Sequence, residues 1–422
     1  MTKRNIVVLG LDEENQRLLE RIPDADRYAF HGLLTIPELQ FGDIEIERLL
    51  AEAESRIAAF DETIDAIVGF WDFPVSTIVP LLCERFGVRG ASLDAVLKCE
   101  HKYWSRLVQR DVIKEYAPFG VVDLEDPVLP ADVGYPCWLK PVKSFSSKLA
   151  FEVTSDQEFD EAVAELRDGI GRVGEPFEYV LAQADLPPEI AEVGGQVALA
   201  ERALSGNRAA VEGYVQDGQV VVYGVLDSLI YPGVSSFLRH QYPARLPATM
   251  CDRLADVSRR VMAGIGYDNA TFSIEFFCDP ETNEVTVLEI NPRHSQSHAE
   301  LFEQVDGFPN HHYMVKVALG EDPGQKGEGE YAISARWYLR RFEDGLLVRG
   351  PSPADIEAVQ RDIDGVHVLR RAADGARLSD GMSQDSYSYE LAEIIVGADS
   401  VAELEDKYER CVAALPFEFA EE

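Results

Sequence analysis

Two carboxylates and an amide stand at spacings that could hold a divalent cation. Glu275 lies in Ile274-Glu275-Phe276-Phe277, and Glu289 and Asn291 lie in Val287-Leu288-Glu289-Ile290-Asn291-Pro292-Arg293. Side chains alternate along an extended strand, so Glu289 and Asn291 share a face, and a hairpin turning over Asp279 to Asn283 brings Glu275 beside them. Like charges held so close are unfavourable without a cation between them. An all-oxygen donor set suits magnesium, which keeps several waters and takes further ligands from phosphates. Two edge-strand carboxylates facing water would look the same in isolation, so the neighbouring motifs carry the decision.

A second group of residues points to those phosphates. Lys98, Lys102, Lys140, Lys143 and Lys148 fall within residues 98–148 of a chain with 75 Asp and Glu against 39 Lys and Arg, a formal net charge of -36. Ammonium groups gathered in so acidic a protein read as a polyphosphate cradle, each close pair giving about 4 kcal/mol of gross Coulomb energy at an effective dielectric of about 20. A solvated basic patch is the other reading. The same net charge repels polyanions, which argues against nucleic acid and anionic membrane as partners. Six cysteines with no CxxC pair suggest neither a zinc site nor a disulfide framework. With no signal-like or membrane-spanning apolar run, a cytoplasmic protein is expected.

The elements that must position these residues follow from periodicity. The 422 residues allow two or three domains. Residues 5–11 and 64–70 read as buried strands and 75–86 as a helix, an open α/β start; Gly10 stands alone, outside any GxGxxG. A helix over 93–110 would carry Lys98, Lys102 and Arg106 on one face. The Pro- and Asp-rich stretch 121–134 reads as a crossing into a second lobe. There Tyr135-Pro136-Cys137-Trp138-Leu139-Lys140-Pro141 is a short strand, 149–153 another, and 156–167 an amphipathic helix. Strands follow at 179–184, 197–204, 209–215 and 220–226, the last two joined by an Asp217-Gly218 turn. A helix over 248–264 leads to the strands at 272–277 and 285–290, and a closing helix is expected at 400–414.

Taken in order, these motifs resemble the ATP-grasp superfamily, which includes D-alanine:D-alanine ligase, biotin carboxylase and bacterial L-amino acid ligases. Glu275 with Glu289-Ile290-Asn291-Pro292-Arg293 is similar to its magnesium motif, Trp138-Leu139-Lys140-Pro141 to its lysine-bearing strand, and Ala200-Glu201-Arg202-Ala203-Leu204-Ser205-Gly206 to its adenine hinge. The resemblance implies an α/β (α+β) ATP-grasp fold: an N-terminal open α/β domain (1–117), a mobile lid lobe (118–212) and a C-terminal lobe (213–422) with a β-rich tail from 331.

It further implies ATP and Mg2+ (or Mn2+) as cofactors. Lys102 and Lys140 would hold ATP phosphates, Glu201 and the backbone near Ala203 the adenine, and Glu275, Glu289 and Asn291 the metal. Arg293 would face the transferring phosphoryl group or the substrate carboxylate, with Lys140 as its catalytic companion. Two departures stand out. The phosphate loop after Lys140-Pro141 has no glycine, leaving Ser146, Ser147 and Lys148, with Lys143, as its donors, and where a ribose glutamate is usual Asn207-Arg208 stands, with Glu212 as the candidate substitute. Arg239, His294, Ser297 and His298 are candidate substrate contacts. The implied reaction couples a small carboxylate, activated as an acyl phosphate, to a small amine, with a homodimer left open. A bicarbonate-activating variant and a non-catalytic nucleotide-binding protein are the alternatives.

Overall fold

The computed structural model describes residues 3–144, 149–381, 384–385 and 387–420. A three-stranded parallel sheet opens the chain, with Arg4–Leu9 between Tyr28–Leu33 and Ala66–Val68. The central strand is covered on both faces, which is why Ile6 to Leu9 form an unbroken apolar run. Tyr28–Leu33, which periodicity missed, is an edge strand buried mainly at its ends, so no such run marks it.

The helix expected over 93–110 is two helices, Leu93–Glu100 and Lys102–Val112, parted at His101, whose ring accepts from the Trp104 N–H at 3.3 Å and caps the second. The break removes Lys98 from the shared face; its Nζ donates to the Ile265 carbonyl at 3.3 Å. Lys102 and Arg106 stay together one turn apart.

A small antiparallel sheet follows, in the order Phe119–Val122, Ala198–Arg202, Cys137–Pro141, Phe151–Val153. The helix Asp156–Gly169 covers it, burying Phe159, Ala162, Val163 and Leu166 against Leu139, Val153 and Ala198. The strand expected at 179–184 is instead the end of a helix, Gly171–Leu181. Phe177, Val180 and Leu181 sit at helical spacing and enter the core of the N-terminal domain.

The largest sheet has eight strands, in the order Glu284–Asn291, Ala270–Asp279, Asn207–Gln216, Gln219–Ile230, Phe237–Tyr242, Ile333–Arg341, Tyr389–Ala398, Val366–Arg370. The tail is therefore continuous with the metal-motif hairpin through Phe237–Tyr242. Because Asn207–Gln216 also belongs here, the small sheet's last strand ends at Arg202, ahead of the boundary expected at 212. Asp217 and Gly218 both have positive φ, 50° and 77°, as a two-residue hairpin turn requires. Among the described residues no helix is long and apolar enough to cross a membrane, and the six cysteines are free.

Candidate functional site

A cavity of about 720 Å³ lies where the two antiparallel sheets and the N-terminal domain meet. Its upper wall is the hairpin singled out in the sequence. Glu275 pairs directly with Glu289, and Ser273 with Asn291, so the two carboxylates and the amide share one face, and a bulge follows at Phe276. Asn291 Nδ2 donates to Glu275 Oε1 at 3.4 Å, which leaves the amide oxygen for another partner. Burial and then the facing Glu289 push Glu275 up to about 7. Desolvation also acts upward on Glu289, but Lys102 and Lys140 outweigh it and hold that carboxyl at about 2.

These donors fit a divalent cation. They are oxygens only, and one of the two carboxylates lacks a counter-charge strong enough to keep it ionised at its ordinary value. Among the described residues no group of three or more His, Cys, Asp or Glu forms a complete cage, so phosphates and water would have to complete the shell, as is usual for magnesium.

The cationic wall is built from three elements. Lys102, at the start of its helix, reaches Glu289 Oε1 at 2.9 Å and donates to the Ser144 carbonyl at 3.1 Å. One turn on, Arg106 contacts the Glu201 carboxylate and donates to the Leu288 carbonyl at 2.6 Å. It thereby ties the first domain to both sheets. Lys140 also meets Glu201 from the neighbouring strand, diagonally across the ladder. Burial pushes Glu201 upward, yet Arg106 and Lys140 together hold it at about 2. Burial pushes Lys140 down, partly offset by Glu201. Lys143 is fixed rather than loose: its Nζ lies 2.9 Å from Glu100 Oε2, both side chains about 95% buried, and within 6 Å of the Phe73 and Phe177 rings. Ser146, Ser147 and Lys148 lie outside the described residues.

Arg293, just beyond the strand Glu284–Asn291, lines the cavity and donates twice to Asp72 Oδ1, at 3.0 and 2.7 Å. Beyond it, Arg336, Arg340 and Arg371 form the far wall. Arg336 pairs with Glu300 and Glu393 at 2.7 Å each, Arg371 with Glu393 at 2.6 Å, and Arg340 with Glu390 at 3.1 Å. Burial, and then the neighbouring Glu393, push the Glu390 carboxyl above the usual carboxylate range.

Residues 133–299 match the family model described as the ATP-grasp domain. The chain carries an ATP-grasp domain. Its whole length follows the ATP-grasp fold of solved structures. The L-amino acid ligase from Bacillus licheniformis has a TM-score of 0.75 at 14% identity, covering 100% of both chains. The carboxyaminoimidazole ribonucleotide synthase from Aspergillus clavatus, complexed with ATP, has a TM-score of 0.68 at 16% identity, covering 98% of both. The biotin carboxylase from Campylobacter jejuni has a TM-score of 0.66 at 17% identity, covering 99% of this chain and 92% of that one. In sequence, the carbamoyl phosphate synthase large chain of Xylella fastidiosa is 41% identical over 68 residues, 16% of this chain and 6% of that protein's length.

On the ATP-grasp frame, Lys102, Lys140, Glu201, Glu275, Glu289, Asn291, Arg293, Ser297 and His298 all line the one cavity. Four expected residues do not. Glu212, the candidate substitute for a ribose glutamate, is fully buried beneath the loop that follows Arg293, accepting from Tyr223 Oη at 3.1 Å and the Ser295 N–H at 3.2 Å. Arg239 lies on the opposite face of its strand, against Trp337 and 3.2 Å from Glu405. His294 points into the core, its Nδ1 3.1 Å from Thr271 Oγ1 and its ring between Phe70 and His311. The Ala203 N–H is engaged by the Pro136 carbonyl at 3.0 Å, and its neighbours Arg202 and Leu204 line the cavity instead.

The arginine wall was not anticipated. Its signal was the period-two run Arg336-Trp337-Tyr338-Leu339-Arg340, which places Arg336, Tyr338 and Arg340 on one face of the strand. Arg371 and Asp72 carry no comparable local pattern.

Proposed function

We propose that this protein is an ATP-dependent ligase that phosphorylates a substrate carboxylate and couples the acyl phosphate to an amine, releasing ADP and phosphate. The observation that carries this reading is the arrangement of one continuous cavity. Phosphate-binding cations (Lys102, Lys140), the Glu275–Glu289–Asn291 face and three arginines line it together.

Each part has a task in that reaction. Lys102 and Lys140 hold the phosphates, and their fixed carboxylate partners place them before ATP arrives, which reduces the ordering cost of binding. Glu275, Glu289 and Asn291 would hold Mg2+, which when bound neutralises phosphate charge. Arg293, oriented by Asp72, faces the transferring phosphoryl group, where a fixed guanidinium lowers the barrier by meeting charge as it develops. Arg336, Arg340 and Arg371 offer forked donors to a substrate carboxylate. Around them Glu14, Glu390 and Glu393 offer acceptors to an ammonium, so the far wall suits a molecule carrying both charges, as an amino acid does. The small sheet closes as a lid, because an acyl phosphate open to water would hydrolyse.

The test is ADP and phosphate release from ATP and Mg2+ with the common L-amino acids, singly and in pairs, and with bicarbonate. Turnover that needs two amino acids supports the reading. Turnover with bicarbonate alone replaces it with the carboxylase variant, and none in any mixture replaces it with the non-catalytic one.

A further inference from the structure

Four of the eight histidines, His240, His294, His298 and His311, lie at or beneath the cavity, and one of them is placed differently from the rest. His298 Nδ1 lies 2.9 Å from Glu212 Oε1, while its ring lines the cavity. None of the described residues hydrogen-bonds its Nε2. His294 and His311 stack on each other in the core, at 4.9 Å between ring centroids. His240 also lines the cavity, but its Nδ1 meets only the neutral Ser228 hydroxyl, at 3.0 Å.

We infer that His298, positioned by Glu212, is the base that takes the proton from the attacking amine. The inference rests on the ligase reading above and adds a residue that reading leaves unassigned. Glu212 has no route to solvent, and its carboxylate accepts from Tyr223 Oη, the Ser295 N–H and the Ser273 hydroxyl. An ionised Glu212 therefore accepts from Nδ1–H as well, and Nε2 presents its lone pair to the cavity. A protonated Glu212 donates its own O–H to Nδ1 along the 2.9 Å axis in place of accepting there, and Nε2 then carries hydrogen. The proton on the 2.9 Å axis and the proton on Nε2 are linked.

The step balances. The amine nitrogen forms a bond to the acyl carbon, the bond from that carbon to the phosphate oxygen breaks, and phosphate leaves with the electron pair. The proton shed by nitrogen goes to Nε2, and the Nδ1 proton moves to Glu212, so no net charge is left buried. Burial supports that order of events: it pushes Glu212 up to about 8 and His298 down to about 3, both favouring the uncharged pair once the proton is taken. The charged and titratable groups around His298 are Glu212 and Tyr223 from two strands, His240 from a third, Arg336 and Tyr338 from a fourth, and Arg293 and His294 just beyond the strand Glu284–Asn291.

Two measurements on the full chain test this. In the first, ATP, Mg2+ and each L-amino acid are supplied with either hydroxylamine or a second amino acid. Hydroxylamine is unprotonated at neutral pH and depends far less on a base. His298→Asn keeps an N–H toward Glu212 but has no base, and should raise the ratio of hydroxamate to amide by about 100-fold, the scale of general base catalysis. An unchanged ratio overturns the proposal. In the second, 15N-imidazole spectra without substrate should show Nε2 losing its proton as pH rises through about 8, and no such step in Glu212→Gln. An Nε2 that stays protonated to about pH 10, or the same titration in Glu212→Gln, overturns it. A wild type that consumes no ATP defeats the ligase reading alone, and the spectra then decide the dyad.

Discussion

Replacing Glu201 by Gln should cost about 3 kcal/mol at neutral pH, and the loss should fade in acid. Its carboxylate is buried between Arg106 and Lys140, which hold it at about 2 against an ordinary 4.5. That gap corresponds to about 3.4 kcal/mol. Burial also pushes Lys140 down, so the cost of burying the ammonium offsets part of this gain. From the other side, removing one partner of a buried ion pair typically costs about 3 to 5 kcal/mol, because the remaining charge is stranded. We therefore take about 3 kcal/mol. For 422 residues unfolding as one unit, that lowers the melting temperature by about 3 to 4 °C. The sign with pH follows from the depressed value: the stabilisation is complete above about pH 4.5 and is lost as pH falls through about 2. Scanning calorimetry of both proteins at about pH 7 and about pH 3 is the assay. Equal melting at the higher pH, or a difference that does not shrink at the lower, refutes the reasoning.

Glu289→Gln should cut ADP formation by at least about 100-fold with a stability change under about 1 kcal/mol, since a neutral amide is a poor ligand and this side chain is 38% exposed; near-normal turnover with a normal melt would remove it from the metal face. Lys143→Ala should destabilise the protein by about 3 kcal/mol by stranding Glu100, and Lys143→Met with Glu100→Gln should recover most of that in the same melt; no recovery would show that the pair is not the cause. Arg239→Ala should lower stability by about 1 kcal/mol through lost packing on Trp337 while leaving the KM for the carboxylate unchanged, so a raised KM would return Arg239 to the site. Hydrogen exchange with Mg2+ and a non-hydrolysable ATP analogue should slow around 142–144 and 198–204 but not in 4–9, and unchanged exchange in the small sheet would remove the lid.

The hairpin of Glu275, Glu289 and Asn291 was legible in the sequence because every instruction for it is local. Period-two alternation sets the face, and one tight turn brings the strands together. The Asp217-Gly218 turn and the Ser155-capped helix Asp156–Gly169 were legible for the same reason. The break at His101 was not, because a single residue with a non-helical ψ depends on what its ring caps. Nor was the helix at 171–181, where Phe177, Val180 and Leu181 fit either element until the core they enter is known. Alternation separates the two faces of Phe237–Tyr242 and Ile333–Arg341 but does not say which side holds the cavity. Arg239 was therefore expected in the site and Arg336 and Arg340 were not, and only the packing of the last helix against Trp337 decided it. The ion partners were beyond local pattern altogether. Arg106 meets Glu201 across 95 residues, His298 meets Glu212 across 86 and Arg293 meets Asp72 across 221. Such contacts exist only once distant elements have closed on one another, and burial then sets the charge each group carries.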